Sequence, residues 1–303
     1  MIVVVCLNPA LDVTHQLDTV GWGRVNRPRA VHARPGGKGL NVARTLHALG
    51  ADVLVLGLAG GITGAGVEAS LRELGVPAAF TPLTGETRRT FSVVDNGRVT
   101  AFHEPGPEVG APEFAEFRVD YEKALAGAEA VVLSGSLPPG LPAGTYATLI
   151  QAAGVPAVLD THGEALRRGA AAQPAIVKPN RAELEVLAGR SLTTPEEVTV
   201  AAGELGGAGA VVVTLGLEGL LAATGDGCWQ ARVPAVMAGN ATGAGDAVAA
   251  ALAHGIALGR PWDEQLRHAA ALGAATAAAS VAGEFRQQDY LDALRAVAVE
   301  EVR

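Results

Sequence analysis

Short apolar runs alternate along this chain with stretches of helical period, and most of the runs stop at a glycine or a polar residue. Residues 2–7 end at Asn8-Pro9, 130–133 at Ser134-Gly135-Ser136, 155–159 at Asp160, 175–177 at Lys178-Pro179-Asn180, and 210–214 at Leu215-Gly216. Such runs fit strands buried on both faces, and strands that alternate with helices predict a mostly parallel sheet covered by helices. The helical stretches are read at 39–49, 65–74, 112–125, from Pro142, from Gly243, at 263–280 and at 289–297, several of them closed by glycine. The 49% hydrophobic and 4% aromatic content, rich in Gly, Ala and Val, suits close packing of small-residue helices on such a sheet.

Two stretches break the alternation. Residues 13–34 are polar and irregular, with Gly21, Gly23 and Pro28; the stretch after Gly85 carries Arg88, Arg89 and Thr90, then the turn signal Asp95-Asn96-Gly97 between two extended runs. Two separated extended insertions can pair into one small sheet over the site, a lid. The core is read as one domain over 1–303, with a discontinuous lid from about 12–35 and 86–104.

In open parallel sheets ligands gather beyond the carboxyl ends of strands. Gly243-Ala244-Gly245-Asp246 opens an alanine-rich helix, where free N–H groups and the helix dipole attract an anion. Asp246 beside that anion hole suggests a base for phosphoryl transfer, although an acid in a first helical turn is favourable without any function. The third glycine position of a dinucleotide fingerprint holds Val248, and Gly37-Lys38-Gly39 lacks the Ser or Thr of a Walker loop. Pro35-Gly36-Gly37-Lys38-Gly39 is a second glycine-rich helix start, where Lys38 could hold a phosphate belonging to the substrate. Asp12 is placed to grip sugar hydroxyls. Asn180 and Glu183, one helical turn apart, either orient water around magnesium or form a plain cap.

The formal charge of −8 argues against broad nucleic-acid or membrane binding. Between Asp18 and Asp52 no acid occurs, whereas Arg24, Arg27, Arg29, Arg34, Lys38 and Arg44 do, a positive island suited to a small anionic ligand. Cys6 and Cys228 lie far apart and suggest neither a disulfide framework nor a zinc site. The first apolar run is read as a core strand and not a leader, which predicts a cytoplasmic protein.

Together these motifs resemble the ribokinase-like (PfkB) family of carbohydrate kinases: Asn8-Pro9-Ala10-Leu11-Asp12, Pro35-Gly36-Gly37-Lys38-Gly39-Leu40-Asn41, Thr87-Arg88, Ser134-Gly135-Ser136-Leu137-Pro138, Lys178-Pro179-Asn180-Arg181-Ala182-Glu183 and Gly243-Ala244-Gly245-Asp246 occur in the family's order. Within it the chain is similar to 1-phosphofructokinases and tagatose-6-phosphate kinases. The resemblance implies a three-layer α/β/α core with a β lid that serves as a homodimer interface, ATP and Mg2+ as cofactors, and a phosphorylated ketohexose as substrate. By motif match Asp246 is the base and Gly243, Ala244 and Gly245 the anion hole. Asp12, Gly37, Lys38, Asn41, Arg88 and Ser136 bind substrate, with Lys38 and Arg88 on its phosphate. Lys178, Asn180, Glu183, Thr214, Gly216 and Gly219 surround the nucleotide, and Glu183 reaches magnesium through water. Lys38 points to fructose 1-phosphate or tagatose 6-phosphate over fructose 6-phosphate, because fructose-6-phosphate kinases of the family usually carry Gly there. Thr90, Ala241-Thr242 and Thr214 depart from the family's commoner residues and bear on the choice of sugar. The rivals are a non-catalytic sensor on the same fold and, more weakly, a nucleic-acid binder.

Overall fold

The computed structural model describes residues 1–302 apart from Gly97, 234–241 and 280–282. Gly97 of the hairpin signal, Ala241 and the end of the 263–280 helix therefore lie outside the described residues. In chain order the elements are β1 (Ile2–Cys6), β2 (Ala10–Leu17), β3 (Ala30–Gly36), α1 (Lys38–Ala48), β4 (Val53–Gly60), α2 (Gly61–Glu73), β5 (Ala78–Leu83), β6 (Arg88–Asp95), β7 (Arg98–His103), α3 (Ala111–Leu125), β8 (Ala130–Ser134) and α4 (Thr145–Ala153). They continue with β9 (Ala157–Asp160), α5 (Gly163–Ala170), β10 (Ile176–Val177), α6 (Arg181–Ala188), α7 (Pro195–Glu204), β11 (Ala210–Thr214), β12 (Leu220–Thr224), β13 (Gly227–Arg232), α8 (Ala244–Ala257), α9 (Trp262–Ala278), α10 (Gln287–Ala296) and β14 (Ala298–Val302).

A ten-stranded sheet runs in the order β14-β13-β12-β11-β10-β9-β8-β1-β4-β5. From β5 to β11 the neighbours are parallel, and β12, β13 and β14 add an antiparallel edge. Strand β1 lies inside the sheet, between β8 and β4, and is buried on both faces, because its apolar run leaves no polar side: Ile2, Val4 and Cys6 pack towards α1, α8 and α9, and Val3 and Val5 towards α3 and α4. Each fully buried Val or Leu of this kind stabilises the fold by about 1.5–3 kcal/mol. Helices α6 and α7 extend the second face over β11 and β12. The three-layer α/β/α, ribokinase-like architecture is as expected.

A separate four-stranded sheet has the order β3-β2-β6-β7, with β2 and β6 parallel and the outer pairs antiparallel. The two irregular stretches of the sequence thus pair with each other, Ala10 through Leu17 against Arg88 through Asp95.

Differences from the sequence reading have local causes. Helix α2 starts at Gly61, four residues earlier than expected, because the carboxylate of Glu86 accepts from Ile62 N (3.3 Å) and Thr63 N (2.6 Å), a cap supplied from a distant loop. Helix α4 starts at Thr145 and not Pro142, since residues 142–145 form a turn closed by Thr145 N to Pro142 O at 2.9 Å. Strand β5 was not anticipated; Pro82 interrupts its pattern, which an edge strand tolerates. The short helix α5 and the acidic edge strand β14 were also missed, the latter held by its ladder to β13 and not by apolar periodicity.

Candidate active site

The carboxyl ends of β1, β8, β9, β10 and β11 deliver Asn8, Ser136, Asp160, Lys178 and Thr214 to one edge of the large sheet. Helix α8 begins there. Gly243 holds φ +87°, a left-handed conformation that suits glycine, and its carbonyl accepts from Ala247 N at 3.0 Å. The turn delivers Asp246 into the first helical turn at 6% exposure, where Asn41 Nδ2 of α1 donates to its Oδ2 at 2.8 Å. Burial, then the nearby Asp160 carboxylate, push the Asp246 carboxyl up to about 7 against the pull of Lys38, Asn41 and Lys178. A carboxyl that titrates near neutrality can accept a proton at physiological pH.

Two lysines approach the same carboxylate oxygen. Lys38 Nζ lies 3.0 Å and Lys178 Nζ 3.3 Å from Asp160 Oδ1, and Asp160 is fully buried with its Oδ2 unpartnered. Burial works against the Asp160 charge, but Lys178 and Lys38 outweigh it and hold the carboxyl below its usual range. Lys38 is also 3.8 Å from Glu183 Oε1; although burial disfavours its charge, Asp160, Asp246 and Glu183 raise its pKa above that of a free lysine. These charges meet between the two glycine-rich helix starts.

A cavity of about 1180 Å³ spreads from this cluster to the small sheet, lined by Asp12, Gly37, Lys38, Asn41, Arg88, Ser136, Lys178, Asn180, Thr214, Gly243, Gly245 and Asp246 among others. Thr90 Oγ1 donates to Asp12 Oδ1. Gly36 lies against the same carboxylate, and a Cβ there would come within 1.9 Å of Asp12 Cγ. Asn8 Nδ2 donates to Ser136 Oγ at 3.1 Å, and Arg88 Nε to Asn8 O at 3.1 Å. The positive island does not gather as one group. Only Arg34 and Lys38 of it line the cavity; Arg24, Arg27 and Arg29 are exposed, Arg29 pairing with Asp18 at 3.0 Å, and Arg44 turns to Glu284 at 3.4 Å. A strand of alternating side chains and its preceding loop cannot aim successive cations at one point.

A second cavity of about 500 Å³ adjoins the first; Asn180, Thr214 and Gly245 border both. Gly216, Gly219, Leu217, Val248, Gly273 and Ala277 supply apolar and backbone walls, so the small residues of α9 leave a flat slot. The Asn180/Glu183 pair is a capping box: Asn180 Oδ1 accepts from Glu183 N and Glu183 Oε2 from Asn180 N, each at 2.8 Å. Glu183 lines neither cavity, and its remaining oxygen faces Lys38.

Residues 5–288 match the model of the pfkB family of carbohydrate kinases. The chain belongs to this family. Among solved structures it is similar to phosphofructokinase-2 from Escherichia coli (31% identity, 97% of this chain and 98% of that chain, TM-score 0.90) and to the same enzyme in complex with fructose 6-phosphate (32%, 97% and 98%, 0.87). It is also similar to a possible 1-phosphofructokinase from Thermotoga maritima (27% identity, 100% of both chains, TM-score 0.89). The chain is accordingly a phosphotransferase with an alcohol group as acceptor.

For a PfkB kinase the donor set bears on magnesium. Among the described residues no group of three His, Cys, Asp or Glu side chains could hold a metal ion. A magnesium ion here would be carried by nucleotide phosphates and water, since Asp160 and Glu183, the carboxylates paired with Lys38, line neither cavity. Asp160 is the site residue that sequence reasoning passed over; its signal was its place at the end of a buried strand. Asn8 and Thr90, named from the sequence without a contact, also belong here, through the bonds of Asn8 to Ser136 and of Thr90 to Asp12.

Proposed function

We propose that this PfkB kinase transfers the γ-phosphoryl group of ATP to a primary hydroxyl of a phosphorylated ketohexose, with fructose 1-phosphate as the leading substrate. The observation that carries the reading is Asp246, a buried carboxyl pushed up to about 7 and bordering the larger cavity beside the turn shared with the second. Asp12 and Asn41 hold sugar hydroxyls, and Arg88 with Lys38 draws the substrate's own phosphate. Asp246 takes the proton of the attacking hydroxyl. The N–H groups of Gly243, Ala244 and Gly245, with Lys178, stabilise charge on the transferring group. Thr214, Gly216 and Gly219 border the slot for the base and ribose of ATP. Asn180 and Glu183 fix the start of α6 below it. Magnesium would neutralise nucleotide phosphate charge when bound, and Glu183, which lines neither cavity, would reach it only through water.

The small sheet acts as a lid that excludes water and prevents idle ATP hydrolysis. Val31 and Phe102 on its strands, and Trp22 and Val25 in its loop, are exposed at 54–81%. That apolar surface supports a homodimer formed through the lid. For comparison, a tetrameric inhibited form of Escherichia coli phosphofructokinase-2 is known.

Fructose 6-phosphate is the second reading, favoured by similarity to phosphofructokinase-2, and tagatose 6-phosphate the third. ADP release with Mg-ATP against these three sugars, fructose and ribose tests the proposal. Preference for fructose 1-phosphate, abolished in Asp246→Asn with ATP binding kept, supports it. Preference for another sugar reassigns the substrate, and ATP binding with no turnover on any sugar sinks it.

A further inference from the structure

Helix α1 carries an arginine one turn beyond Asn41, on the same face. The Arg44 side chain is 10% exposed and lines neither cavity. Its Nη1 donates to Asn41 Oδ1 and to Pro35 O, and its Nη2 to Glu284 Oε1, each at 3.4 Å. Glu284 follows Gly283, whose N–H donates to Thr242 O at 3.1 Å, directly before the Gly243 turn. Gly283 also passes close to the Asn41 amide, since a Cβ there would stand 3.1 Å from Asn41 Oδ1. Glu284, Arg44, Asn41 and Asp246 thus touch in sequence, and the bond from Gly283 to Thr242 ties the far end back to the start of α8.

An amide side chain has two unlike ends, an oxygen that accepts and an NH2 that donates, and its neighbours decide which way it lies. A guanidinium only donates. The end beside Arg44 is therefore Oδ1, and Nδ2 is turned to Asp246 at 2.8 Å, where it favours the charged carboxylate. The second hydrogen of Nδ2 is left for a substrate hydroxyl, because Asn41 borders the larger cavity. Turned over, the amide would put Oδ1 on Asp246, a contact that only the protonated carboxyl satisfies. The charges that act on Asp246 are Asp160 on β9, Lys38 on α1 and Lys178 at the end of β10. Burial and then Arg34 on β3 work against the Arg44 charge, whereas Glu284 ahead of α10 and Asp12 on β2 support it.

We propose that Arg44 is a positioning residue for phosphoryl transfer: it fixes the Asn41 amide so that Asn41 donates to the base, and Glu284 holds the guanidinium from the other side. This rests on the reading of Asp246 as the base. It gives a role to a cation of the basic 24–44 stretch that lies outside both cavities.

The test is the pH profile of kcat/KM for wild type, Asn41→Leu, Arg44→Gln, Arg44→Lys, Glu284→Ala and the double variant of Asn41→Leu with Arg44→Gln, with Asp246→Asn as control. Glutamine presents either an oxygen or an NH2 and no longer dictates the amide, whereas lysine only donates, as arginine does. In Arg44→Gln the acid limb is expected to rise by about half to one pH unit, the worth of one hydrogen bond to the base, with KM for ATP unchanged. Arg44→Lys recovers most of that shift, and the double variant coincides with Asn41→Leu because Arg44 acts through the amide. Glu284→Ala, at a half-exposed position that folding tolerates, gives a second reading of opposite signs. Loosening Arg44 moves the acid limb upward, whereas loss of a negative charge alone moves it downward. An acid limb that stays in place in Arg44→Gln, a further rise in the double variant, or an unmoved or downward limb in Glu284→Ala overturns the inference, and leaves the base reading standing where Asp246→Asn is inactive. A wild-type profile with no acid limb, or an active Asp246→Asn, overturns both.

Discussion

Asn41, in the first turn of α1, donates from Nδ2 to Asp246 Oδ2, in the first turn of α8, at 2.8 Å across 205 residues of sequence. The bond joins the two glycine-rich helix starts and favours the charged form of Asp246, against burial that favours the neutral form. Removing the donor raises the carboxyl's pKa further. In Asn41→Leu the acid limb of the pH profile of kcat/KM is therefore expected to move upward from about 7, so that activity falls more at pH 6.5 than at pH 8.5. The measurement is a pH–rate profile of both proteins; a coincident acid limb would separate Asn41 from the base.

Asp246 should also lower stability at alkaline pH. Its pKa is about 7 when folded, against about 3.9 in an unfolded chain. Between those values the folded state binds the extra proton, so stability falls as pH rises through this window and is flat above it. Asp246→Asn removes this dependence. Its melting temperature is expected to exceed that of wild type at pH 8 and the difference to shrink towards pH 5, even as turnover drops about 10²- to 10⁴-fold. Thermal melts at both pH values check this.

Asp160 is the counter-ion of a buried lysine. Lys178 is 3% exposed at its side chain, and Asp160→Asn would leave its charge without a full partner. A loss of about 3–5 kcal/mol is expected, because a lone buried charge keeps its desolvation penalty. The same substitution removes a charge that raises the Asp246 pKa, so the acid limb should shift downward. Denaturant unfolding and a pH–rate profile read the two effects separately, and a variant as stable as wild type would refute the ion-pair assignment.

Gly36 is where the chain must pass the Asp12 carboxylate. With a Cβ built at 1.9 Å from Asp12 Cγ, Gly36→Ala has to displace that carboxylate and its bond from Thr90. The expected outcome is a rise of at least about tenfold in KM for the sugar, comparable to one lost hydrogen bond, with KM for ATP little changed. Equal effects on both substrates would show a general distortion of the helix start instead.

Much of this site was legible in residue order. Strand ends, glycine turns and the spacing of Lys38, Asn180 and Glu183 are local patterns, and local patterns decide which residues reach the carboxyl edge of the sheet. The Asn180/Glu183 pair shows the limit: its three-residue spacing fits a cap and a metal relay equally, and the capping hydrogen bonds are what the structure shows, with one Glu183 oxygen left towards Lys38. The Arg24–Arg44 island shows another, since closeness in sequence did not become closeness in space.

The sequence by itself determined the alternation of strands with helices and the motifs by which the chain resembles the PfkB family, because apolar period and glycine placement act over a few residues. Only the tertiary structure decided that Glu86 caps α2, that one oxygen of Asp160 holds both Lys38 and Lys178, and that Arg34, Asp12, Thr90 and His103 form a row. Each of those depends on the register of strands far apart in the chain. Register is set by packing and ladder hydrogen bonds over the whole sheet, and no short stretch of sequence contains that information.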